Sequence, residues 1–388
     1  MNSAALQESW AEVVEVGDAA SQYFYSHLFL SHPEVRDMFP LVMATQRDRF
    51  FTALGRIIAD VDNLPTDPSY LEQLGREHRR FGVVAAHYPA AGASLLATLA
   101  HFLGPAWTSE LAAEWEAAYG AVAQIMLAAA QASEQTSPPW WDAEVTAVKR
   151  HSLDITLLEV RTDRPYPFEA GQSMAVEVPQ RPRTWRYFSP ANAPRDDRTI
   201  ELHVEIVPGG QVSPELARNM RPGDRIRLGS PVGKKLTLDA EHSGNLLMVA
   251  GGTGLAPLRA VVEELDNRWG TSGGAPNVLL FHGVRYRPNL YDHAYLTHMN
   301  SRPWFTYIPV VSDDPTYTGH RGLVGTVAAE MYWWEGYTAL VCGSKGMVRH
   351  SVGELVRTGL DPDAIRHEDF SPDSATATQR PTEVLTWR

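Results

Sequence analysis

The sequence predicts a multidomain chain of three fold classes in succession: an all-α domain, an antiparallel β-barrel and an α/β domain on a parallel sheet. Three observations carry this. The hydrophobic spacing changes twice along the chain. A polar, then proline-rich stretch, SEQTSPPWW at 133–141, separates the first texture from the rest. The length of 388 residues is that of two to four domains at roughly 100–200 residues each.

Each region justifies its class. From Ser3 to about Gln135, apolar residues recur at three- and four-residue steps, as in Leu54, Ile57, Ile58 and Val61. Prolines at 33, 40, 65, 68, 89 and 105 fall where helices stop or start, giving six to eight helices. From Asp142 to Leu238, the stretches AEVTAVKR, ITLLEVR, SMAVEVP, TIELHVEIV and DRIRLGS read as short strands. Closely spaced Gly, Pro and Asp between them indicate an antiparallel barrel. From about Asn245, buried-type strands (NLLMVAG, NVLLFHG, TALVCGS) alternate with helical stretches (PLRAVVEELDNRW, GMVRHSVGELVRTG). That alternation belongs to a parallel sheet with crossover helices. The expected domains are 1–135, a linker at 136–141, then 142–240 and 241–388.

Composition removes several function classes. The net charge of −12 lacks the clustered cations that phosphate backbones or anionic lipid surfaces require, so neither nucleic acid nor membrane is an expected partner. The single cysteine, Cys342, cannot make an internal disulfide, a cysteine-rich zinc site or a cysteine-ligated iron–sulfur cluster. The N-terminus shows no secretory signal and no run of about 18 apolar residues occurs, so a cytoplasmic location is expected.

The strongest local signal is LLMVAGGTGLAPLRAVVEEL, where a strand runs into Gly251, Gly252 and Gly254 and a helix follows from Pro257. Glycines there let backbone N–H groups approach a phosphate, and the helix start adds partial positive charge. In WRYFSPAN, Arg186 and Phe188 share one face of a strand, offering a cation for phosphate and a ring for stacking. GGQVS at 209–213 is a second anion-binding turn before a helix start. A pyrophosphate site and a flat face are what a flavin adenine dinucleotide needs.

RYFS, GGQVS, GGTGLAP, VCGSKG and HEDFSP (367–372), in this order, resemble the ferredoxin reductase-like family, a flavin barrel followed by a nicotinamide-binding domain. The resemblance implies FAD contacts from Ser173, Arg186, Tyr187, Phe188, Ser189, Gly210, Gln211, Val212, Ser213, Glu368 and Phe370, with Phe370 covering the ring until nicotinamide displaces it. It implies that Gly252, Thr253, Gly254, Leu255, Ala256 and Pro257 hold the nicotinamide nucleotide's phosphates, with Cys342 and Gly343 beside the nicotinamide. Cys342 can also be read as a small buried hydrophobe at a strand end. Two residues depart from that pattern: Phe188 stands for a Tyr and Ser344 for a Pro.

The helical third contains five histidines: His27, His32, His78, His87 and His101. His78 shares a helical face with Leu71 and Leu74. FYSHLF, HPEVRDMF, QRDRFFTALGRIIADVDNL, EHRRFG, YPAAGASLLATL and AEWEAAYG, in order, resemble the globin domain of flavohemoglobins, and the whole chain is similar to that family. The resemblance implies heme b with His78 as the axial iron ligand. Phe39 would pack on the heme, Tyr25 would be the distal donor with Gln46 beside it, and Tyr88 would lie near the proximal His. It implies a nitric oxide dioxygenase: NADH or NADPH reduces FAD, FAD reduces the heme, and the oxy-ferrous heme converts nitric oxide to nitrate. Its partners would be dioxygen, nitric oxide and NAD(P)H, and the chain a monomer. Alternatives are a variant with another electron donor or heme substrate, or an oxygen-binding or redox-sensing globin with an attached ferric reductase.

The globin region departs from the family at the residue behind the proximal His. The family's Glu falls at Ala130, with Gln131 and Glu134 as the nearest candidates, and Glu77 stands where a basic residue precedes the proximal His. Set against the resemblance, this implies a proximal electron release that is weakened or absent. Arg285 and Arg287, after NVLLFHG, would bind a 2′-phosphate or be solvated loop residues. The tail after HEDFSP either is disordered or folds Trp387 back toward the flavin.

Overall fold

The computed structural model describes residues 2–64, 66–239 and 242–370. Ser371, Pro372 and the tail with Trp387 lie outside them. The chain divides into two compact units, with the break between Trp140 and Trp141.

The first unit is helical. It comprises α1 (Ser3–Glu15), α2 (Asp18–Ser31), a 3-10 turn at Pro33–Met38, α3 (Ala44–Ala59), α4 (Ser69–His78), α5 (His87–Leu103) and α6 (Ser109–Glu134). Local chemistry sets the ends. The Asn2 side chain accepts from Ala5 N–H at 3.2 Å, and Thr108 Oγ1 accepts from Leu111 N–H at 3.2 Å, so both helix starts satisfy otherwise orphaned donors. Pro33 opens the 3-10 turn, and Pro68 immediately precedes α4. Leu6, Leu71, Leu99 and Trp115 form the deepest core, with Trp115 Nε1 donating to Ser9 Oγ at 3.1 Å. Helix α3 packs on α1 and α2, whereas α4 packs on α6. The α4–α6 crossing is close because residue 75 is glycine; a Cβ there would collide with the Met126 backbone.

The second unit begins with an antiparallel sheet: β1 (Trp141–Arg150), β2 (Ile155–Thr162), β3 (Ser173–Glu177), β4 (Arg186–Phe188), β5 (Thr199–Glu205) and β6 (Arg225–Val232), with α7 (Ser213–Arg218) before β6. The order is β4-β3-β6-β1-β2-β5. Pro190, just past β4, bridges to Leu202 of β5, and Ala191 N–H donates to Glu201 O at 2.8 Å. The two edges are thereby drawn together, which gives the expected barrel and relieves exposed strand edges. Alternation along β1 buries Trp141, Ala143 and Val145 on the inner face.

A parallel sheet follows: β7 (Leu246–Gly251), β8 (Val278–Val284), β9 (Phe305–Val311), β10 (His320–Arg321), β11 (Thr338–Gly343) and β12 (Ile365–Asp369). Its helices are α8 (Leu255–Ser272), α9 (His293–Met299), α10 (Val324–Met331) and α11 (Lys345–Arg357). The order β10-β9-β8-β7-β11-β12 reverses between β7 and β11. That reversal opens a crevice at the carboxyl ends of these two strands, where such sheets bind ligands. Helix α8 starts at Leu255, two residues before the expected Pro257. Strand β9 escapes the sequence reading because Pro309 sits inside it, and prolines are normally confined to sheet edges.

A charge cluster joins the barrel to the parallel sheet. Arg259 of α8 is buried and meets Asp292 at 2.5 Å, Glu201 of β5 at 3.2 Å, Glu263 at 3.4 Å and the Ala191 carbonyl. Arg195 spans Glu201 and Glu263, each at 2.8 Å.

Candidate functional site

In the helical unit, α2 presents Tyr25 and α3 presents Gln46. Gln46 Nε2 donates to the Tyr25 hydroxyl at 3.3 Å. Tyr25 is buried, and burial pushes its phenol up, so it keeps its proton. Phe39 lies edge-on to Tyr25 with ring centroids 5.5 Å apart. Tyr25, Gln46 and Phe39 are therefore brought together.

His78 ends α4. Its Nδ1 lies 2.6 Å from the Leu74 carbonyl. A carbonyl only accepts, so Nδ1 carries the proton and Nε2 keeps its lone pair. Burial pushes the imidazole pKa down, toward the neutral, metal-binding form. Among the described residues no carboxylate is hydrogen-bonded to Nδ1: Ala130 occupies the α6 position named above, and Gln131 and Glu134 are both exposed. Glu77 accepts instead from Gln73 at 2.8 Å and from Arg80 at 3.2 Å. Tyr88 opens α5, its carbonyl taken by Tyr119 Oη at 2.6 Å. It lines a groove of about 520 Å³ with Tyr119, Leu127 and Gln131, and among the described residues no hydrogen bond joins it to His78.

Phe39, Phe50, Leu54 and Leu74 are only half-buried although they adjoin the core. Helices α3 and α4 pack on different partners. Half-buried apolar side chains, a neutral imidazole and a buried phenol suit a planar apolar group held by an imidazole, and so fit heme.

In the barrel, β4 pairs with β3, setting Phe188 opposite Met174 and Arg186 opposite Val176. Ser189 is buried and Ser173 half-buried. In the GGQVS turn, Gly209 has φ +74, and Ser213 Oγ accepts from Val207 N–H at 3.0 Å. Gly210 and Gln211 remain half-buried beside the buried Val212. Strand β12 runs along β11 in a register that sets Glu368 against Cys342. Glu368 Oε1 lies 3.2 Å from where a Cβ on Gly233 would stand. Burial, aided by Asp369 and opposed by Lys235, raises the Glu368 carboxyl to about 7. Phe370 is exposed, held by its N–H to the Gly343 carbonyl at 2.9 Å.

At the strand reversal, Gly252 has φ +52, a conformation that favours glycine. Gly254 serves packing, because a Cβ there would collide with the Cys342 carbonyl. Leu255, Ala256 and Pro257 are buried in the first turn of α8, whose positively polarised N-terminal end suits an anion such as a pyrophosphate. Cys342 is fully buried and burial pushes its thiol pKa up, which disfavours a reactive thiolate. Arg285 and Arg287 are both exposed beyond β8. Sequence reasoning missed Glu205, whose carboxylate accepts from Thr253 Oγ1 at 3.1 Å. It also missed His282, whose signal was a lone imidazole in an otherwise apolar strand.

Three domain families match in order: globin over residues 22–126, oxidoreductase FAD-binding domain over 142–236 and oxidoreductase NAD-binding domain over 248–352. The chain is 33% identical over 231 residues to the ferredoxin–NAD(P)+ reductase component of the naphthalene 1,2-dioxygenase system of Pseudomonas putida, covering 59% of this chain and 68% of that protein. It spans between 61% and 68% of the length of the first reductase components that it matches. It is 25% identical over 392 residues to a flavohemoprotein of Bacillus subtilis, covering 93% of this chain and 94% of that protein. In fold it is similar to a crystal structure of a flavohemoglobin from Malassezia yamatoensis, with a TM-score of 0.78 and 16% identity over 95% of this chain and 98% of that one.

A helical unit of globin type followed by FAD- and NAD-binding modules defines a class: a globin fused to an NAD(P)H-dependent flavoprotein oxidoreductase, for heme, FAD and a nicotinamide nucleotide. The likeness to flavohemoproteins runs nearly end to end, so the chain has the flavohemoglobin architecture of globin, FAD-binding and NAD-binding domains in that order.

Proposed function

We propose that the chain is a nitric oxide dioxygenase that oxidises NADH or NADPH and converts nitric oxide and dioxygen to nitrate. The observation that carries this is the buried Tyr25 hydroxyl held by Gln46 against Phe39, in a unit that also supplies the neutral imidazole of His78. When bound, FAD supplies two-electron to one-electron conversion, and heme supplies an iron centre for dioxygen. The chain's own part is to bind and orient. His78 would hold the heme iron through Nε2, and Tyr25 would donate a hydrogen bond to dioxygen, its proton retained by burial. Gln46 fixes the Tyr25 oxygen, and Phe39 excludes water from that side. In the second unit, Arg186 and the 209–213 turn would hold the flavin pyrophosphate, with Ser173, Ser189, Glu368 and Phe370 around its ring. The turn from Gly252 to Pro257 would hold the nicotinamide nucleotide, with Cys342 and Gly343 behind it. Among the described residues no helix is long and apolar enough to cross a membrane.

The test is nitric oxide consumption in air with NADH or NADPH. Nitrate should form, and His78→Ala should abolish it while ferricyanide reduction by the flavin persists. Failure of the unaltered protein to form nitrate overturns the proposal. One observation favours a second reading, an oxygen-binding or redox-sensing globin kept reduced by its own reductase. His78 Nδ1 donates to a backbone carbonyl, and among the described residues no carboxylate is hydrogen-bonded to it. Stable dioxygen binding, with NAD(P)H consumption unchanged by nitric oxide, would select that reading.

A further inference from the structure

The glycine turn at the end of β7 is held from beneath by an imidazole. His282 is fully buried in β8, among Val278, Leu280 and Phe281. Its Nε2 lies 3.1 Å from the Gly252 carbonyl, and its Nδ1 3.4 Å from the Tyr307 hydroxyl of β9. Tyr307 Oη lies in turn 3.5 Å from Nδ1 of His293, an exposed residue of α9.

Hydrogen-bond polarity orders this chain. The Gly252 carbonyl can only accept, so His282 Nε2 carries a proton. Burial pushes the His282 pKa down to about 4, so the ring is neutral with one N–H, and Nδ1 must accept. Tyr307 therefore donates its single proton to Nδ1, leaving its oxygen to accept from His293 Nδ1–H. Every donor points from the exposed histidine inward to the turn.

The consequence lies in the next peptide group. The Gly252 carbonyl accepts from His282 and also from Leu255 N–H, which uses both lone pairs. In a planar trans peptide, the carbonyl oxygen and the following N–H point in opposite directions. Pinning the oxygen onto His282 therefore aims the Thr253 N–H away from it. The left-handed φ of Gly252, +52, gives this peptide an orientation that only a held carbonyl keeps fixed.

We propose that His282, with its tautomer set by Tyr307 and His293, is a positioning residue for the nicotinamide nucleotide: it orients the Gly252–Thr253 peptide so that its N–H meets the nucleotide's pyrophosphate. This rests on the reading that the Gly252–Pro257 turn binds that pyrophosphate. His282→Leu keeps bulk and removes the donor; His282→Gln restores one. In full-length protein reducing ferricyanide, His282→Leu should raise the KM for NADH or NADPH about tenfold, the upper range for one hydrogen bond, while kcat changes less than twofold. His282→Gln should recover most of the loss, and Tyr307→Phe should fall between. Gly252→Val serves as the control for the turn itself. If Gly252→Val raises KM but His282→Leu does not, the proposal fails while the turn reading stands. If neither moves KM, the turn reading fails and carries the proposal with it. A fall in kcat and melting temperature together, with no rescue by Gln, assigns His282 a merely structural role and also overturns the proposal.

Discussion

Single side chains at the sites fall into those legible in the sequence and those visible only once strands are neighbours. Tyr25 and Gln46 stand 21 residues apart, and their meeting follows from the packing of α2 on α3. Tyr25→Phe should leave the helical unit folded and speed dioxygen release by up to about tenfold, since one hydrogen bond of roughly 1 kcal/mol is lost; flash photolysis reads that rate. Glu368 gives a pH prediction. Its carboxyl is raised from 4.5 to about 7 by burial, so between those values the folded chain keeps a proton that the unfolded chain releases. Its contribution is therefore fully present below the unfolded value and is lost as pH rises through the folded one. The difference reaches about 3 kcal/mol at 1.36 kcal/mol per unit. Glu368→Gln should flatten melting temperature against pH from roughly 5 to 8 and leave the variant more stable than the parent at the alkaline end. His282 and Glu205 were not legible, because Gly252 lies 30 residues before the one and Thr253 48 residues after the other in the chain.

At the scale of elements, periodicity and proline placement disclosed the six long helices of the first unit and most of the β-strands. What they could not disclose were the short or interrupted pieces: β9 with its internal Pro309, the seven-residue α9 and the two-residue β10. Such pieces are specified by neighbours in the sheet and carry too few residues to show a period. The α4–α6 crossing shows how one element's place depends on one atom. Gly75→Ala sets a methyl group against the Met126 backbone, and overpacking of this kind costs roughly 1–3 kcal/mol. Since His78 ends α4, the same shift displaces its imidazole. The expected outcome is a lower melting temperature together with weaker heme retention, read from the visible spectrum during dilution into apomyoglobin.

For the whole molecule, the order of domains was readable from motif order, and the charge cluster around Arg259 was not, because it joins residues from five places between 191 and 292. Arg259→Met leaves Asp292, Glu263 and Glu201 without that cation in a largely buried setting. Removing one member of a buried charge network costs about 3–5 kcal/mol. Calorimetry should show the second unit's melting lowered, and hydride transfer to flavin should slow as the barrel and parallel sheet lose their fixed register. The chain's single cysteine offers a further consequence. Cys342 lies at the end of β11 with no exposed surface, and every other position is free of thiol. A thiol reagent can therefore modify this chain only when the strand reversal opens, so the rate of labelling is a direct clock for breathing at that crevice. Nucleotide binding would slow the clock, and no mutation or attached probe is needed to read it.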